Sequence, residues 1–132
     1  MRAMKHQLTL TPGAIDEPAL IAARQMSAGM GAAVYFSGVV RGSEEDQTIS
    51  AIEYTAFAQM VERQFHLIFD QIEKRWPIES LRIVHRLGVV KVNEPSLWLE
   101  VVAPHRGEAF AAGQFLIDEM KRTVPSWKKP LP

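Results

Sequence analysis

Apolar and polar positions change period several times along this chain, and the changes mark its elements. Residues 6–10 predict a short strand, closed by Thr11-Pro12-Gly13. Pro18 suits a first helical turn, and Ala19, Leu20, Ala22, Ala23 and Met26 favour a helix over 18–27 that Gly29-Met30-Gly31 breaks. Residues 32–41 are rich in β-formers and predict a largely buried strand. The polar, acidic stretch 42–47 predicts a loop, and alternation resumes over 49–54 as a strand. Phe57, Met60, Val61, Phe65, Ile68, Phe69, Ile72 and Trp76 recur at helical spacing, so 57–76 predicts a helix with one apolar stripe, stopped by Pro77. Strands follow over 81–87 and 89–92, broken near Gly88, then a turn over 93–96 and a strand over 97–103. A last helix over 107–123 ends before Pro125, and 126–132 is expected to be extended.

Helices scattered among strands that right-handed crossovers cannot all join predict an α+β fold with a mainly antiparallel sheet. No Gly-rich strand-to-helix fingerprint supports a doubly wound alternative. The length, 132 residues, fits one domain over 1–132. No Cys is present, which excludes a disulfide framework, a thiolate zinc site and a cysteine nucleophile; any sulfur chemistry needs sulfur from elsewhere. The 15 Lys+Arg balance 15 Asp+Glu, which argues against bulk nucleic-acid binding. No apolar run approaches a membrane span and residues 1–10 hold no apolar signal core, so a cytoplasmic protein is expected. His6, His66, His85 and His105 show no metal-ligand spacing, and His85 reads as a structural strand residue.

Candidate chemistry gathers in the last third. Phe110, Ile117 and Lys121 lie seven and four residues apart, so Lys121 projects within roughly 20° of Phe110 on a helix. A lysine on an apolar stripe is desolvated, which lowers its pKa and makes it a usable base; the alternative is a lysine snorkelling at a helix end. His105 and Arg106 stand at a strand-to-helix junction suited to an anion, or form a polar cap with Glu108. Beyond Glu119 the chain has Lys121, Arg122, Lys128 and Lys129 but no acid, with Trp127 beside the lysines. That combination suits a flat anionic ring, or is a solvated tail whose tryptophan packs on the core. Arg41 ends a strand where ligand-binding side chains emerge, or pairs with Glu44, Glu45 or Asp46. Taken alone, these features support an anion site built from Arg, His and Lys.

Several blocks together resemble the large, catalytic subunit of molybdopterin synthase. They are Gly31-Ala32-Ala33-Val34-Tyr35-Phe36-Ser37-Gly38-Val39-Val40-Arg41, Ile52-Glu53-Tyr54 with Met60, Arg75-Trp76-Pro77 and Ile83-Val84-His85-Arg86-Leu87-Gly88. The stretch from Ala103-Pro104-His105-Arg106-Gly107-Glu108 to Gln114-Phe115 leads into Lys121-Arg122-Thr123-Val124-Pro125-Ser126-Trp127-Lys128-Lys129. The resemblance implies an α/β hammerhead fold and a heterotetramer. In it, a central homodimer carries two small ubiquitin-like sulfur-carrier subunits, each ending in a Gly-Gly thiocarboxylate. It implies cyclic pyranopterin monophosphate as substrate, converted to the dithiolene of molybdopterin, with no metal at this step.

By position, Lys121 resembles the family's essential catalytic lysine and Lys128 its second one. Arg41 resembles the strand-end arginine of the substrate pocket. His105 and Arg106 resemble the pair that the other protomer supplies near the substrate phosphate. Two features depart from the family: Pro130 stands where many members carry Glu, and the turn at Val92-Asn93-Glu94-Pro95 lacks the usual Gly. Rival readings are a paralogue that binds the small subunit without turnover, and an unrelated domain holding a phosphorylated ligand.

Overall fold

The structure is a computed structural model that describes residues 3–132. In chain order its elements are β1 (Lys5–Thr11), α1 (Glu17–Ala22), β2 (Ala32–Val39), β3 (Ser43–Glu44), β4 (Gln47–Thr48), β5 (Ala51–Thr55), α2 (Ala58–Arg75), β6 (Ser80–Arg86), β7 (Gly88–Lys91), β8 (Pro95–Ala103), α3 (Arg106–Thr123) and β9 (Trp127–Leu131). A four-stranded sheet runs β1-β6-β8-β2, a three-stranded sheet runs β7-β5-β9, and β3 with β4 forms a ribbon. Every pairing is antiparallel except β1 with β6. This is the α+β, mainly antiparallel architecture that the element order predicts.

Strand β8 is buried on both faces, and its alternation assigns them. Leu97, Leu99, Val101 and Ala103 join the main core under α2 and α3. Trp98 points the other way, into a cluster with Ile15 and Val84 that Leu20 of α1 and Tyr35 flank. Glu100, on that second face, is buried at 1% exposure and bound through both oxygens by Arg82, each at 2.7 Å. Helix α2 buries Val61, Phe65, Ile68, Phe69 and Ile72, a stripe at helical spacing. It stops where Trp76 turns extended ahead of Pro77, because the proline ring disfavours helix in the residue before it.

Gly31 marks a close approach: a Cβ there would lie 2.7 Å from the Pro104 carbonyl oxygen. The absent side chain lets the start of β2 lie against the junction between β8 and α3. Gly88 adopts φ +92°, and there the chain leaves the large sheet at β6 and enters the small one at β7.

Several boundaries differ from expectation. The first helix ends at Ala22 rather than 27, because Ser27 is drawn to the Glu79 carboxylate through both its amide, at 3.0 Å, and its hydroxyl. Phe57 and Met60 leave the stripe and are exposed: Phe57 is the extended residue that precedes α2, and Met60 lies in its first turn outside the buried row. The expected acidic loop folds into the β3–β4 ribbon, and β2 ends at Val39, after a register shift at Gly38, rather than at residue 41. The tail is a full strand, β9, at the edge of the small sheet, with Lys128 opposite Tyr54 and Pro130 opposite Ile52. Trp127 is 53% exposed and packs edge-on against Phe57, ring centres 5.6 Å apart, instead of entering the core.

Candidate active site

Where the two larger sheets meet the C-terminal end of α3, the surface opens into a cavity of about 720 Å³. Its placement follows from the elements around it. The chain beyond β2 brings Arg41 to one wall. The last turn of α3 brings Lys121, and β9 brings Lys128. Tyr54 of β5 and His85 of β6 form part of the floor. Three of the five residues singled out from the sequence therefore share one recess.

The other two do not. His105 precedes α3 and Arg106 begins it, whereas Lys121 lies in its last turn, so roughly 22 Å of helix rise separates them. His105 Nδ1 lies 2.9 Å from Glu108 Oε1, the local pairing expected of a polar junction. Among the described residues neither His105 nor Arg106 lines the cavity of its own chain.

Lys121 corrects one expectation. The sequence placed it on the buried face of its helix. The structure instead buries Ala109, Ala112, Gly113 and Leu116, and the first three are small enough to let α3 lie close to β8. The row holding Phe110 and Lys121 falls beside that stripe, so Phe110 is 61% exposed and Lys121 is exposed as well. In the single chain the Lys121 side chain is therefore exposed rather than buried. It makes no ion pair among the described residues, which leaves it available at the cavity wall.

Arg41 and Lys128 are joined through one carboxylate. Lys128 Nζ donates to Glu44 Oε1 at 2.6 Å, and Arg41 Nη2 lies 3.6 Å from Glu44 Oε2. The Lys128 hydrogen bond, ahead of the nearby charges, holds the Glu44 carboxyl below the usual carboxylate range. Arg41 thus has the acidic-loop partner that its sequence context offered as an alternative.

Sequence reasoning missed His85, Tyr54 and Glu44 as cavity residues. His85 is 8% exposed, and its Nδ1 lies 2.9 Å from the Ser96 carbonyl oxygen. A carbonyl only accepts, so Nδ1 carries the proton and Nε2 keeps its lone pair. Burial lowers the His85 pKa against the opposing pull of that bond, so the ring is neutral at neutral pH. Its ring meets Tyr54 edge-on with centres 5.7 Å apart. Strand alternation made His85 look structural, and only the meeting of two sheets shows that it also faces a cavity.

A compact α+β frame with three cations around a recess defines the class of protein, an α+β domain with a cationic pocket suited to an anion. The family described as MoaE protein matches residues 10–123. A molybdopterin synthase catalytic subunit from Staphylococcus carnosus is 38% identical over 101 residues, 76% of this chain and 67% of that one. One from Nostoc is 35% identical over 123 residues, 92% of this chain and 73% of that one. One from Aedes aegypti is 39% identical over 100 residues, 75% of this chain and 64% of that one. The crystal structure of molybdopterin synthase from Staphylococcus aureus superposes with a TM-score of 0.84 at 29% identity, over 93% of this chain and 89% of that one. A MoaE protein from Burkholderia ambifaria gives 0.80 at 32% identity, over 96% and 82%. The chain belongs to the MoaE family, whose named relatives are molybdopterin synthase catalytic subunits.

Proposed function

We propose that this chain is the catalytic subunit of a molybdopterin synthase, with residues 1–132 acting as one domain. It transfers sulfur from the thiocarboxylated C-terminus of a small ubiquitin-like subunit to cyclic pyranopterin monophosphate, forming the dithiolene of molybdopterin. The observation that carries this reading is the convergence of Arg41, Lys121 and Lys128 on one cavity. A chain without cysteine has no thiol of its own to give, so the sulfur comes from elsewhere, as a thiocarboxylated partner would supply it. A distant relative of the same fold, from Helicobacter pylori, is described as a complex of subunits 1 and 2 of the molybdopterin-converting factor.

In this reading Arg41 and Lys128 face the anionic groups of substrate and sulfur donor. Lys121 serves the proton transfers that accompany each sulfur addition. His105 and Arg106 lie too far along α3 to serve their own chain's cavity, so they serve a second copy's, near the substrate phosphate. The exposed Phe110 beside them is a surface that such a homodimer, the centre of a heterotetramer, would cover. No helix among the described residues is long and apolar enough to cross a membrane, which accords with work in the cytoplasm.

The test is reconstitution with thiocarboxylated small subunit and cyclic pyranopterin monophosphate. Fixed cations stabilise charge that develops in a transition state, and losing one costs ~10²–10³ in rate. Lys121→Ala is expected to lose turnover on that scale while keeping the native circular dichroism spectrum, since the side chain it removes is exposed. Near-normal product from that variant removes Lys121 from its role. Complex formation without any conversion by the wild-type chain would favour the binding-only paralogue. Nucleotide binding without affinity for the small subunit would favour the unrelated anion-binding domain.

A further inference from the structure

Glu44 stands between two of the three cavity cations. One oxygen accepts from Lys128 Nζ at 2.6 Å, and the other lies 3.6 Å from Arg41 Nη2. A carboxylate that turns one oxygen to an ammonium and the other to a guanidinium has the arrangement an anionic ligand group would itself take here.

The segment bearing Glu44 is slight. Strands β3 and β4 have two residues each, and Glu45 and Asp46 between them adopt φ 49° and 65°. A turn with two left-handed residues suits Asn-Gly, and it strains longer side chains such as Glu. An isolated ribbon is marginal in water even when longer than this. The Glu44 carboxylate can therefore be withdrawn without disturbing either larger sheet.

We propose that Glu44 is a specificity-determining residue of the cavity: it occupies the place of an incoming anionic group between Arg41 and Lys128, and that group displaces it on binding. The proposal rests on reading the cavity as an anion site, and it gives that site a threshold. A tethered carboxylate acts at high local concentration, so free anions compete poorly. A group presented with binding energy of its own competes well. A phosphate already held elsewhere on its molecule is one such group, and the terminal carboxylate of a docked chain is another.

The test reads anion binding to the full chain and needs no sulfur transfer. Trp127 adjoins Lys128 and is 53% exposed, so its fluorescence can follow titration with inorganic phosphate or with N-acetyl-glycylglycine. Glu44→Gln is expected to bind at least one probe roughly two- to fivefold more tightly than wild type, on the scale of an exposed ion pair. The probe that gains identifies the source of the anion. Glu45→Gln removes the same charge from the same turn without breaking an ion pair, and should match wild type. Should Glu44→Gln not fold, Glu44→Ala carries the same expectation. Unchanged or weaker binding by the Glu44 variant, no binding by any protein, or an equal gain in Glu45→Gln overturns the proposal. Such a result leaves the sulfur-transfer reading standing, because that reading is judged by the Lys121 assay.

Discussion

Burial holds His85 neutral, and this links a cavity side chain to the protein's response to acid. The unfolded chain takes up a proton at this histidine near pH 6.5, whereas the folded chain resists to lower pH. Between those two points the unfolded state binds more protons, so stability falls as pH falls. The contribution is complete above about pH 6.5 and is lost progressively below it. Thermal midpoints across pH 7.5 to 5 should decline less steeply for His85→Asn, whose amide can still donate to Ser96, than for wild type. Identical slopes would mean that other groups control the acid response. The identities of Arg41, Lys121 and Lys128 were legible in the sequence because their neighbours are distinctive. Their surroundings were not. Lys121 was assigned to a buried stripe because Phe110 and Ile117 outweigh alanine and glycine on any apolar count. The packing surface of α3 is nonetheless set by Ala109, Ala112 and Gly113, where helix and sheet come closest.

Elements with a long period were readable, and short ones were not. The stripe of α2 and the buried run of β8 declared themselves over 18 and 9 residues. The ribbon β3–β4, at two residues a strand, has no period to detect, and β9 holds two lysines and a proline that no strand pattern would select. Both exist because a neighbouring strand or side chain holds them: β5 pairs with β9, and Lys128 holds Glu44. Gly31 tests how elements fix the path into α3. In Gly31→Ala the new methyl meets the Pro104 carbonyl oxygen at 2.7 Å, and backbone must shift. A loss of about 1–3 kcal/mol in unfolding free energy is expected from such overpacking. Denaturant titration showing no loss would mean that the junction before α3 relaxes freely.

For the molecule as a whole, α3 sets the geometry. It carries Arg106 at one end and Lys121 at the other, so one chain cannot gather all five candidate residues in one place. A site completed across two copies makes a specific forecast. Lys121→Ala and Arg106→Ala proteins should each be poorly active alone. Mixed in equal amounts and allowed to exchange, they should recover about a quarter of wild-type turnover, since half the dimers then hold one intact site of two. No recovery, with exchange shown by mass-tagged subunits, would mean that both residues act from the same chain, and full activity of Arg106→Ala by itself would place Arg106 in no site.

The strand that carries Lys128 is also the open margin of its sheet. Unpaired margins invite other molecules to stack on them, and nature guards them with lysine and proline. Lys128, Lys129 and Pro130 lie side by side on β9. The positive charge that the proposed function assigns to an anion therefore also keeps this border from seeding aggregates, and replacing both lysines with neutral residues is expected to cost solubility.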